Sequence, residues 1–443
     1  MSTRSTMRTR LGRGAVAAAA GLAAATALVA CSGDDGAPGG GGDGDGPVQL
    51  TYWTWMTNIE DVVGVWNEEH PDVQVKVARL AEGDDLVTRI TTAAEAGNLP
   101  DLMQVEYQAL PILVSNGAVA DVTDTVAPLA DEFSPAALAQ VTWDGQSYAV
   151  PGDIGPLMMY VREDRLEDLG LDVPTTWDEF ADVAEQVHEA DPDAHLTSFD
   201  ATYPGWFAGL SQQAGAQWWS ADGNAWGVDI DDAATTRVAS YWSDLVDRGL
   251  VSTTPTYSAE WNAAMSTGDQ LAWIAPAWGA GVIAGIAEEG SGWTAVPLPQ
   301  WEPGAEDAGN WGGSSAAIST TTPHPDEAAA FLTWLYTDPE GLAQLVDTAG
   351  LYPAAVAGQE YAKGSAVPEI LGDQTDFWDL AADAAAHTTE FPWSPNVNYA
   401  FTRMQDDFST SIEQGRPLQD SLRDIDTAIT KDLHDQGYPV AED

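Results

Sequence analysis

Lysine is almost absent: the 443-residue chain holds three, with 13 Arg, against 69 Asp and Glu, for a formal charge of -53. This argues against a nucleic-acid partner, because phosphate binding depends on clustered Lys and Arg that release counterions. Anionic lipid surfaces are disfavoured for the same reason. Cysteine is scarcer still, with one, so a small disulfide scaffold is excluded. No stretch approaches the roughly 18 consecutive apolar residues of a membrane-spanning helix. With 44 % hydrophobic and 19 % charged residues the chain can bury large cores, and its length suits two or three globular domains.

Several chemical signatures are missing too. The six histidines, His70, His188, His195, His324, His387 and His434, never fall at the i, i+4 spacing of a helical metal pair, so no zinc site is expected. Asp43 and Asp45 beside Gly46 are similar to the start of a calcium loop, but the twelfth position is Thr54 rather than Glu. There is no GxSxG, P-loop or kinase motif. Gly279, Gly281 and Gly285 follow a strand expected over 271–275, but no basic residue nearby would hold a phosphate. They predict a tight strand-to-helix turn at the bottom of a cleft, and no cofactor is expected.

What is present begins with a segment unlike the rest. Residues 1–14 hold Arg4, Arg8, Arg10 and Arg13 and no acid, and residues 15–30 are Ala, Val, Leu and Gly with one Thr. This is the pattern of an export signal. The sole cysteine, Cys31, follows directly in Leu28-Val29-Ala30-Cys31, which resembles the lipobox of bacterial lipoproteins. The resemblance implies cleavage before Cys31 and lipid on its sulfur; the alternative is a secretory signal with a stray cysteine. Residues 32–47 hold eight Gly and four Asp, a tether with an end-to-end distance of about 20 to 24 Å. Loss of the four signal arginines would take the charge from -53 to -57.

The body alternates strand and helix patterns. Leu50 to Trp53 reads as a strand, Ile59, Val62, Val63 and Trp66 as a helix face ended by His70-Pro71, and Val73, Val75 and Val77 as a half-buried strand. Asp84 and Asp85 suit a first helical turn, Leu86, Ile90 and Ala94 share a face, Gly97 ends it, and Leu102 to Val105 follows as a strand. This βαβαβ order predicts a mostly parallel sheet covered by helices. Thr176 with Glu179 and Asp338 with Pro339 mark later helix starts.

Tryptophan is abundant, 19 against 9 Phe. Trp66, Trp242 and Trp334 lie in helical patterns and are expected in cores. Trp55, Trp206, Trp278, Trp311 and Trp393 are expected in loops beyond strand ends, where open α/β sheets bind ligands. Flat aromatics cover the C–H face of a sugar ring, while carboxylates and amides serve its hydroxyl rim.

Residues 28–443 resemble the carbohydrate-binding proteins of ABC importers, extracellular solute-binding protein family 1, in their actinobacterial lipoprotein form. The resemblance is carried by Ile90 to Asp101 running into Val105 to Gln108, Tyr148 to Asp153, Thr175 to Phe180, Trp206 to Leu210, Ala277 to Ala280, Gly309 to Ser314 and Leu335 to Glu340. It implies an α/β, two-lobed, periplasmic-binding-protein-like fold with parallel-rich sheets flanked by helices, and a hinge with three chain crossings near 151–153, 310–313 and 351–353. The implied division is a signal peptide over 1–30, an anchor and tether over 31–47, a first lobe of 48–152 and 314–352, and a second of 153–313 and 353–443. A monomer would close on a sugar and dock on ABC permease transmembrane subunits at the outer face of the cytoplasmic membrane, held there by lipid on Cys31. The implied contacts are Trp55, Glu106, Tyr107, Gln108, Asp153, Trp206, Trp278, Trp311 and Trp393. None of these cleft segments carries an Arg or Lys clamp for an anion, so a neutral mono- or oligosaccharide is favoured. The competing classes are a carbohydrate-adhesion lectin and a glycoside hydrolase, the latter needing two carboxylates about 5 to 10 Å apart.

Overall fold

The computed structural model describes residues 46–80, 84–143, 145–222, 225–288 and 290–441. The expected export signal, Cys31 and all but the last two tether residues lie outside them. From Val48 the elements follow the expected order: β1 (Val48–Thr54), a helix at Ile59–Glu69, β2 (Val73–Arg79), a helix at Asp84–Ala96, and β3 (Leu102–Glu106). β1 buries Leu50, Tyr52 and Thr54 and leaves Thr51 outside, the alternation of a strand with one enclosed face. Leu102 to Val105 are all buried, as a strand covered on both faces requires.

The other strands are the hairpin β4 (Thr142–Trp143) and β5 (Gln146–Ser147), then β6 (Val150–Pro156), β7 (Met158–Arg162), the hairpin β8 (Trp219–Asp222) and β9 (Ala225–Val228), β10 (Ala272–Ala275), β11 (Trp293–Val296) and β12 (Asn310–Ile318). The larger sheet runs β2-β1-β3-β12-β6, with β1 parallel to β2 and β3, and β12 antiparallel to β3 and β6. The second, β10-β7-β11, is antiparallel throughout, against the parallel-rich expectation. The cause is connectivity. β7 carries the chain away from β6, while β10 and β11 each return toward it after a helical excursion.

Each sheet has its own core. Leu50, Tyr52, Ile59, Trp66, Phe331 and Leu335 pack beneath the first, where Trp66 stacks on His70 at 3.5 Å. Strand β7 serves two cores: Met159 and Val161 join Trp177, Phe180 and Trp242, whereas Met158 and Tyr160 join Trp261, Trp273 and Trp293. Helix starts are capped as the sequence predicts. The Thr176 hydroxyl accepts from the Glu179 N–H while the Glu179 carboxylate accepts from the Thr176 N–H, and Asp338 accepts from the Glu340 N–H ahead of Pro339.

Between the sheets, three segments lie side by side. Ser314 on β12 pairs with Asp153 on β6, the Ile154 N–H donates to the Tyr352 carbonyl at 3.0 Å, and the Ala354 N–H donates to the Gly152 carbonyl at 3.0 Å. Gly312 and Gly313 have φ of 77° and 86° at the irregularity where β12 begins to pair with β6.

Candidate functional site

Twelve of the tryptophans are buried, and seven are half-buried: Trp53, Trp55, Trp143, Trp278, Trp301, Trp311 and Trp393. Four of the five expected at the ligand belong to the half-buried group. Trp278 begins the helix Gly279–Ile286 directly after β10, and Trp311 lies on β12. Their rings meet at 5.0 Å and 64°. Tyr203 meets Trp311 at 5.8 Å, and a side chain on Gly205 would touch both Trp311 and Phe401. Phe401 in turn lies 5.8 Å from Trp393, so the aromatic face continues past the start of the helix Pro204–Gln213. Trp393 packs against both the core below that helix and the core of Leu86, Val105 and Leu113 beside the first sheet.

Beside the first sheet, Trp55 and Glu106 line one small gap with Gln104, and Gln108 is half-buried just beyond β3. Arg79 donates to the Trp55 carbonyl at 3.3 Å, a cation beside the lip that the sequence did not place there. Glycines join the two sides. A Cβ on Gly312 would lie 3.9 Å from the Trp278 indole nitrogen, and one on Gly313 would lie 3.0 Å from the Tyr107 ring.

Three expected contact residues sit behind this surface. Trp206 is 5 % exposed, donates to the Ile274 carbonyl at 3.1 Å, and packs on Trp242 at 5.1 Å. Its helix is enclosed on every side because Pro204 to Leu210 offers no polar face. Tyr107 is 2 % exposed, and burial, followed by the charge of Asp153, pushes its hydroxyl well above the usual range. Asp153 is 6 % exposed. Its Oδ1 accepts from the Ser314 N–H at 3.1 Å and from the Ser314 hydroxyl. Burial pushes its carboxyl up to about 6, with the Ser314 bonds pulling the other way. The network continues from Gln104 Nε2, which donates to Ser314 Oγ at 2.8 Å, to Gln104 Oε1, which accepts from the Thr54 hydroxyl at 2.5 Å and the Trp55 N–H at 3.2 Å. Asp153 therefore supports the lip at Trp55 from beneath.

The sequence reading missed Tyr203, Tyr257, Trp273 and Phe401. Tyr203 had a usable signal: it precedes Pro204, which starts a helix, so its ring falls outside the enclosed segment. A cavity of about 680 Å³ lies among residues 173–179, the loop 297–308 and the helix Phe377–Ala386. No Trp, Tyr or Phe lines it, so it has no platform for a sugar ring.

Residues 62–369 match the family described as bacterial extracellular solute-binding protein. The arabinooligosaccharide-binding protein of Halalkalibacterium halodurans is 26 % identical over 306 residues, covering 66 % of this chain and 68 % of that one. The lactose-binding protein of Rhizobium radiobacter is 27 % identical over 406 residues, covering 85 % and 91 %. Among solved structures, the galacto-N-biose-/lacto-N-biose I-binding protein of the ABC transporter from Bifidobacterium longum, in complex with lacto-N-biose, superposes with a TM-score of 0.80 at 25 % identity, over 90 % of this chain and all of that one.

Proposed function

We propose, for a chain that belongs to the bacterial extracellular solute-binding protein family, that it captures a neutral mono- or oligosaccharide for an ABC importer. The observation that carries this reading is the half-buried pair formed by Trp278, at the start of a helix, and Trp311, on a connecting strand that continues through Gly313 to Tyr107 on the other side. Trp278, Trp311 and Trp393 stack on sugar rings, and Trp55, Glu106 and Gln108 meet them from the first lobe. Trp206, Tyr107 and Asp153 back these contacts. The gaps at Trp55 and at Tyr203 are each about 10 Å³, too small for a sugar ring. Entry therefore requires the lobes, 48–152 with 314–352 and 153–313 with 353–443, to part at the three connecting segments and close again on ligand. The protein works by binding, as a monomer, and lipid on Cys31 holds it at the outer face of the cytoplasmic membrane for delivery to a permease.

The relatives' ligands set the panel. Calorimetric titration of residues 48–443 with galactose, arabinose, lactose, lacto-N-biose and arabino-oligosaccharides should give saturable binding of at least one, with the sugar recovered unchanged. Binding of none would overturn the reading. Release of new reducing ends above a heat-denatured control would turn it toward a hydrolase.

A further inference from the structure

Tyr257 has φ 65°, and Asn58 is the one other non-glycine residue with positive φ among those described. Asn tolerates this left-handed region; a bulky ring does so only where its surroundings enforce it. Glycine would satisfy the same backbone without strain, so what tyrosine adds at this position is its ring. That ring is 39 % exposed and sits at the edge of the aromatic face, 5.7 Å from Tyr203 and 6.2 Å from the buried Trp273.

The enforcing group is Asp200, which is 7 % exposed. Its Oδ2 accepts from the Thr256 N–H at 2.5 Å, one residue before Tyr257. Its Oδ1 accepts from the Thr202 N–H at 2.8 Å and the Thr202 hydroxyl at 2.6 Å, one residue before Tyr203. On the far side, the Ser258 N–H donates to the Pro255 carbonyl at 3.2 Å, and the Ser258 hydroxyl accepts from the Trp261 N–H at 3.1 Å to start the next helix. One carboxylate thus pins both loops whose rings meet above Trp311.

We propose that Asp200 is a positioning residue that holds Tyr257 at the rim of the aromatic face, where its ring covers a second sugar unit beyond the one on Trp278 and Trp311. This rests on the sugar-binding reading. Tyr257 then sets chain-length preference: a monosaccharide does not reach it and a disaccharide does.

The experiment compares wild type with Tyr257→Ala, Asp200→Ala and Asp200→Asn by titration with galactose and lactose, and with arabinose and an arabinobiose. Hydrogen exchange at the Thr256 amide is followed in the unliganded proteins. Tyr257→Ala and Asp200→Ala should weaken disaccharide binding roughly tenfold and monosaccharide binding less than about twofold. Asp200→Asn, which keeps an acceptor oxygen, should recover part of the loss. Thr256 protection should fall in Asp200→Ala and persist in Tyr257→Ala. Equal losses for mono- and disaccharide, an unchanged disaccharide affinity, or unaltered Thr256 protection would each overturn the proposal. Where wild type binds another member of the titration panel instead, the same comparison is made with that sugar and its monosaccharide; wild-type failure to bind any sugar of the whole panel would overturn the sugar reading, and the second-unit role with it.

Discussion

Ser314 donates both its backbone N–H and its hydroxyl to a single oxygen of Asp153, so two of the segments that connect the sheets are clasped at one buried carboxylate. The ordinary value for such a carboxyl is 3.8, and burial pushes this one up to about 6. Between those values the folded chain keeps a proton that the unfolded chain has lost. Stability therefore falls as pH rises through that window and levels off above it. The shift corresponds to about 3 kcal/mol. Asp153→Asn removes the titration, so thermal melts should show wild type losing ground to the variant from about pH 4 to about pH 7, with a constant offset above. Parallel curves through the window would contradict this assignment.

The half-buried and buried tryptophans separate binding from stability. Trp278→Ala and Trp311→Ala should each weaken sugar binding by about 1 to 3 kcal/mol, roughly 5- to 150-fold, with modest changes in melting. Trp206→Ala should cost about 3 to 5 kcal/mol of stability, because it empties a core site and leaves the Ile274 carbonyl without its donor. Calorimetric titration and melting of the three variants decide the matter. A stable Trp206→Ala beside an unfolded Trp278→Ala would reverse it.

Adjacent glycines should differ. A Cβ on Gly313 would lie 2.9 Å from the Asp153 carbonyl and 3.0 Å from the Tyr107 ring, while the nearest atom to one on Gly312 is 3.9 Å away. Gly312→Ala should cost about 1 kcal/mol for its left-handed backbone, and Gly313→Ala more, on the order of 2 to 3 kcal/mol. Urea denaturation measures both. Equal costs would mean that packing against the Asp153 carbonyl and Tyr107 plays no part.

If Cys31 carries lipid, the exported protein should partition into detergent, and Cys31→Ser should yield a soluble or unprocessed form with unchanged sugar binding. Partitioning that persists in the serine variant would exclude the lipid anchor.

The first five elements were legible because their periodicities are local: Leu50 to Trp53, the Ile59 to Trp66 face and the valines at 73, 75 and 77 each point to one kind of element. The antiparallel run of β10 and β11 was not, since strand direction depends on the route of the helices between them. Half-buried Trp55, Trp278 and Trp393 could be picked out because each follows a strand or stands in a loop rich in Gly or Pro, whereas Trp311, expected in such a loop, lies on β12, since the glycines after it let the strand keep pairing with β6. Trp206 looked the same in that respect, yet its helix is enclosed all round. Asp153 presents a carboxylate at the expected place, but only the three-dimensional pairing brings Ser314 onto it. Tyr257 carries no sequence signal, because its backbone angle is imposed by a carboxylate 57 positions earlier.

Trp261, Trp273, Trp278 and Trp311 form an unbroken series of neighbouring indoles, with centroids 5.0 to 6.3 Å apart and planes crossed at 64° to 87°. Chromophores this close share excitation, and crossed transition dipoles give rotational strength of opposite signs. Within the series Trp261 and Trp273 are buried while Trp278 and Trp311 are half-buried, so excitation absorbed by the first two can pass to rings that touch solvent. If a sugar stacks on Trp278 and Trp311 as proposed, the emission and exciton signal of this series should change on binding, an optical gauge of occupancy built from four of the 19 indoles.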